Sequence, residues 1–209
     1  MAPVRALAAL LACALVLGAA CGSEPVDDGA ATTTTSTTAP RATSAAPETG
    51  SLPPVDGPFA PGRTQLPGFG EVQVRIVDGP DGEPIVLCVL LAETPEQRAR
   101  GLMEVTDPDL GGYDGMLFTF DSDRDGGFYM KDTVLPLSIA YLGEDGATVD
   151  TRDMEPCPPD TETCPTYPPS GPYRAALEVP QGGLAPLGLE AGSPARLEQT
   201  GACAPAEAT

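Results

Sequence analysis

VQVRI at residues 72–76, DGPDGEP at 78–84 and IVLCVLLAE at 85–93 decide how this chain is read. Val72, Val74 and Ile76 alternate with Gln73 and Arg75, the period of a strand with one buried face. The Asp, Gly and Pro cluster after them supplies a turn, and the unbroken apolar run that follows suits a second strand paired back on the first as a hairpin. TPEQRARGL comes next. Thr94 can cap a helix, Pro95 suits its first position, Gln97 completes a capping box and Gly101 ends it, which predicts one short helix over about 95–101. Downstream, MLFTF, FYMKDT, LSIAYL, TVDTRDM, YRAALEV and ARLEQT are short strand-like runs separated by Gly, Asp and Pro clusters at hairpin spacing. The expected fold is mainly β, a compact antiparallel sandwich or barrel with that one helix.

Working outward towards the N-terminus, residues 22–66 are rich in Ala, Thr, Pro and Ser, include TTTTSTT at 32–38, and show no hydrophobic periodicity. Such a segment cannot bury a core and reads as a disordered tether, with a reach of roughly 35 to 40 Å for about 45 flexible residues. Ahead of it, MAPVRALAALLACALVLGAA has one basic residue, Arg5, then an apolar stretch ending in small residues, the layout of a signal peptide over 1–20. LGAAC followed by GS is similar to a lipoprotein box, in which Cys21 is acylated and becomes the new N-terminus. The organisation expected is therefore a signal peptide (1–20), a lipid-anchored tether (21–66) and a single β-rich domain (67–209), exported and held on the outer face of a bacterial cell membrane. Cysteine parity supports the anchor. Cys13 leaves with the signal peptide and lipid consumes Cys21, so Cys88, Cys157, Cys164 and Cys203 remain, an even set suited to an oxidising compartment. Four cysteines allow three pairings. The seven-residue spacing within the Pro-rich run EPCPPDTETCPTYPPSGP favours Cys157–Cys164, leaving Cys88–Cys203 to tie an early strand to the C-terminus.

The whole chain carries 11 basic and 30 acidic residues, and losing Arg5 leaves 10 − 30 = −20. Nucleic acid is excluded as a partner, because its binding depends on neutralising phosphates with Lys and Arg. The same field repels an anionic membrane surface, so membrane contact is expected through the lipid only. A small molecule, a peptide or an envelope protein remains as partner.

Five segments taken together resemble a known family. GLM (Gly101–Met103), GMLFTF (Gly115–Phe120), FYMKDT (Phe128–Thr133), PLSIAYL (Pro136–Leu142) and LEV (Leu177–Val179) stand in the order and spacing of the uncharacterised family known as domain of unknown function 192. The resemblance covers about Val72 to Thr200. The family signature is similar to Phe-Trp-Met-Lys-Asn-Thr followed by Pro-Leu-Asp; this chain has Tyr129, Asp132 and Ser138 at the Trp, Asn and Asp positions. The resemblance implies a compact, mainly β, often exported fold and brings no established activity.

The residues that could carry chemistry are few. The chain has no His, which removes the commonest general base and transition-metal ligand. Lys131 is its only Lys and lies in the signature run, where strand alternation would set Tyr129, Lys131 and Thr133 on one face. A structural ion pair with Glu178 or another carboxylate is the plain reading of this lysine. The functional reading places a binding site on Tyr129, Lys131, Thr133 and Glu178, or, for an enzyme, Lys131 as base or electrophilic stabiliser assisted by Asp132 or Glu178 and the Tyr129 and Thr133 hydroxyls. In DSDRDGGFYMKD, the residues Asp121, Asp123, Asp125, Gly126 and Asp132 match positions one, three, five, six and twelve of a calcium loop, the sole cofactor suggested, although a solvated Asp-Gly turn explains the same residues and is the plain reading. Met103, Met116 and Met130 with the neighbouring Phe residues read as ordinary core. The function expected is a surface-displayed lipoprotein whose domain is a binding or accessory module. An enzyme built on Lys131 and a structural domain with a calcium loop are the alternatives.

Overall fold

The computed structural model describes residues 59–205 together with Leu52 and Val55. The signal peptide, Cys21 and most of the expected tether lie outside the described residues. Alternation in VQVRI becomes β1 (Gly70–Val77), in which Val72, Val74 and Ile76 are buried and Arg75 is exposed. The Asp-Gly turn returns the chain as β2 (Ile85–Ala92), antiparallel to β1, with Val74 opposite Leu87 and Ile76 opposite Ile85. β2 lacks polar alternation because both its faces are covered from Leu87 onward, although Val86 is exposed. Cys88, Leu90 and Ala92 join one apolar cluster, and Leu87 and Val89 join another.

Helix α1 (Pro95–Arg100) follows with the expected capping box. The Thr94 hydroxyl accepts from the Gln97 N–H at 3.2 Å, and the Gln97 side-chain oxygen accepts from the Thr94 N–H at 3.0 Å. Gln97 is itself buried and donates to the Gly68 carbonyl at 2.8 Å, which fixes the helix to the residues entering β1.

The remaining elements are β3 (Met116–Arg124), β4 (Phe128–Tyr129), β5 (Leu137–Leu142), β6 (Thr148–Met154), β7 (Thr166–Tyr167), β8 (Tyr173–Pro180) and β9 (Arg196–Gly201). Seven strands form one sheet in the order β6-β5-β8-β3-β2-β1-β9, and β4 pairs with β7 separately. Mainly β with one short α-helix is thus the architecture. Within the large sheet the antiparallel pattern has one exception, β2 beside β3 with Leu90 opposite Met116, because α1 and the turns after it carry the chain across before β3 begins. The sheet curls into a half-barrel. Its outer strands touch at one end, where Ala147 bridges Arg196 and the Leu197 N–H donates to the Gly146 carbonyl at 3.0 Å.

Two local expectations need correction. FYMKDT is strand only at Phe128–Tyr129, since Asp132 adopts a left-handed backbone (φ 57°) and the Thr133 N–H closes a turn onto the Met130 carbonyl at 2.9 Å. The run from Glu155 to Pro172, too rich in Pro for regular structure by its composition, contains β7, whose Thr166 and Tyr167 pair with Tyr129 and Phe128. Cys157–Cys164 and Cys88–Cys203 are both disulfides, with Cα–Cα separations of 5.9 and 5.4 Å. The residues just ahead of Pro67 are held against the domain: Arg63 Nε donates to the Gly112 carbonyl at 3.0 Å, and the Thr64 N–H to that of Gly111 at 2.8 Å.

Candidate functional site

The alternation that makes β8 a strand decides its two faces. Leu177 and Val179 enter one apolar cluster, whereas Ala176 and Glu178 face the other, beside Met116 and Ile139 in the register of the neighbouring strands. A carboxyl group is thereby placed among hydrocarbon and sulfur. Glu178 is 5% exposed, and that remnant opens into a cavity of about 610 Å³ between α1, the outer part of β3 and the segment 123–130. Among the described residues no cation or hydrogen-bond donor reaches its carboxyl. Burial pushes its pKa up from 4.5 to about 8, so at neutral pH it is mostly protonated.

Aromatic rings surround this acid. Phe118 and Phe128 meet edge to face at 4.9 Å, and Tyr173 stacks edgewise on Phe120 at 5.5 Å. The Tyr173 hydroxyl donates to the Gly126 carbonyl at 2.8 Å, pinning the glycine turn along the cavity. On the opposite wall Arg98 donates to the Glu93 and Thr119 carbonyls at 2.6 and 2.8 Å and lies 4.9 Å over the Phe120 ring, so it serves as scaffold. Tyr129, 49% exposed, spans the mouth and donates to the Ala99 carbonyl at 3.4 Å.

The residues singled out from sequence separate into two groups. Tyr129, Thr133 and Glu178 all line the cavity. Lys131 and Asp132 do not: the ammonium is 3.2 Å from Asp132 and donates to the Pro159 carbonyl at 3.4 Å, with the lysine side chain 41% exposed. The structural ion pair expected of Lys131 is thus made with another carboxylate, Asp132, and not with Glu178, because the turn at Asp132 directs the lysine towards the Cys157–Cys164 loop. Asp121 and Asp123 lie on extended β3, where Asp123 is held by Arg174 at 2.8 Å. Among the described residues the one trio of Cys, Asp and Glu ligand atoms gathered closely enough for a metal is Glu71, Cys88 and Cys203, and its two sulfurs are bonded to each other. The calcium-template carboxylates are not drawn together.

Residues 77–197 match the family DUF192, described as an uncharacterised ACR. The chain belongs to this family. Among solved structures, a Sinorhizobium meliloti protein provisionally described as a transcription regulator is 31% identical, with 63% of this chain and 95% of that one covered and a TM-score of 0.50. A Novosphingobium aromaticivorans protein of unknown function is 32% identical, covering 66% and 92%, with a TM-score of 0.54. No curated protein matches. At the DUF192 signature this chain places Ser138 where the family resemblance has Asp. Ser138 donates to Asp153, its cross-strand partner, at 2.5 Å and accepts from the Gly182 N–H at 2.9 Å, so a carboxylate reaches that position from β6. The aromatic surround and the partnerless acid were not legible as a unit. The signal available was a lone Glu in the apolar run AALEV, which period-two alternation sets on the face of Ala176.

Proposed function

We propose that this DUF192 domain is a small-ligand binding module displayed on the outer face of the cell membrane by a lipid on Cys21. The observation that carries the binding reading is Glu178, a buried carboxyl facing an aromatic-walled cavity with no partner for it among the described residues. A polar group left unpaired in an apolar site costs about 1–3 kcal/mol, a cost that a bound ligand removes. The anchor reading draws support from the signal-like leader and from the disulfides, which use all four cysteines after Cys21 and agree with an oxidising compartment.

Native mass spectrometry of the protein purified from its membrane tests both parts. Expected are a small molecule retained by the wild type and by Lys131→Ala, its loss from Glu178→Gln, and an acylated N-terminal Cys21. Identical retained species in wild type and Glu178→Gln would remove the site, and an unacylated Cys21 would remove the anchor.

A further inference from the structure

We infer that the cavity takes an organic cation: a primary or secondary amine on a flat apolar body, its ammonium donating to the Glu178 carboxylate and its body lying among the Phe118, Phe128 and Tyr173 rings. This deepens the binding reading and rests on it. A carboxylate at the floor of a cavity is an acceptor in want of a donor, and an ammonium brings donors and opposite charge together. Aromatic rings are the surroundings in which an organic cation gives up water at least cost. An anionic ligand would find no counter-charge at Glu178 and would set its charge against Asp123 and Asp125 at the mouth. The mouth arginines carry charge but are engaged elsewhere. Arg98 is committed to two carbonyls, Arg100 is 3.7 Å from Glu104, and Arg124 stacks over Phe120 at 5.4 Å. The net charge of −19 draws cations to the molecule.

The proton balance follows from the groups that face Glu178. Tyr141 of β5 and Tyr173 of β8 are phenols pushed up by burial, so they stay neutral at the pH values that matter, and the charged side chains along the cavity are Arg98, Arg100, Asp123, Arg124 and Asp125. Only Glu178 changes state: when the ammonium enters, the carboxyl releases its proton to solvent.

Calorimetry with phenethylamine, 2-phenylethanol and 3-phenylpropionate, run in two buffers of different ionisation enthalpy, tests this. The amine should bind best, release close to one proton at pH 7, and tighten by roughly tens of fold between pH 6 and 8, as ionisation of an acid with its pKa near 8 requires. Glu178→Gln, which keeps the shape, should lose both the proton release and the pH dependence. Met103→Trp, placed on the cavity wall, should block all three probes while leaving Glu178 to titrate. Tighter binding of the alcohol or the carboxylate would overturn the cation inference and leave the binding reading standing. No heat from any probe at millimolar concentration, with no shift in melting, would overturn both.

Discussion

Met116 of β3 and Glu178 of β8 are register partners, so a carboxyl and a thioether share one face of the sheet with no cation among the described residues paired to that carboxyl. The folded protein keeps on Glu178 a proton that the unfolded chain gives up near its ordinary value of 4.5. This group's contribution is therefore fully present below about pH 4.5 and lost as pH rises through about 8, on the order of a few kcal/mol in all. Urea unfolding at pH 5, 7 and 9 should show the wild type weakening with pH and Glu178→Gln remaining level. Equal losses in the two proteins would mean that Glu178 is not the group that titrates.

Gly146 combines a positive φ of 74° with a position where a Cβ would run into the Leu197 carbonyl. Gly182 has a similar φ of 85° and open space around it. Gly182→Ala should lose only the backbone preference, about 1 kcal/mol, while Gly146→Ala should lose clearly more by parting the outer strands. Matching melting temperatures for the two variants would show that the seam contributes nothing.

The two disulfides span 115 and 7 residues. Loop-closure entropy then predicts that replacing Cys88 and Cys203 with Ala costs about 4–5 kcal/mol and replacing Cys157 and Cys164 about 2–3 kcal/mol. Denaturant titration of the two double variants checks the order; a larger loss from the short loop would assign it a role in holding β4 against β7.

Arg174 on Asp123 and Lys131 on Asp132 occupy two of the four calcium-template carboxylates. Millimolar calcium should leave the thermal midpoint unchanged. A rise of several degrees, absent from Asp121→Asn, would show that the loop rearranges to bind the ion.

Much of the fold was readable because its signals are local. The β1–β2 hairpin follows from alternation and an Asp-Gly turn, and α1 from Thr94, Pro95 and Gln97 within four positions. The parallel β2–β3 contact was not readable, since it depends on how the chain crosses between strands. The site was half legible for a similar reason. Tyr129, Thr133 and Glu178 could be named individually, but the left-handed Asp132 breaks the alternation assumed for their motif, and Asp is a residue that occupies strand and turn without distinguishing them. That Glu178 has no cation partner among the described residues is a property of three neighbouring strands together, which no single segment encodes.

Where Leu197 donates to Gly146, the two rims of the sheet satisfy each other. Unpaired rims invite pairing between copies. On the proposed lipid anchor, copies diffuse in two dimensions at high local density, the condition under which rim-to-rim fusion would be fastest. Closing the sheet on itself at that end would let a domain so anchored be crowded while each cavity stays with its own chain.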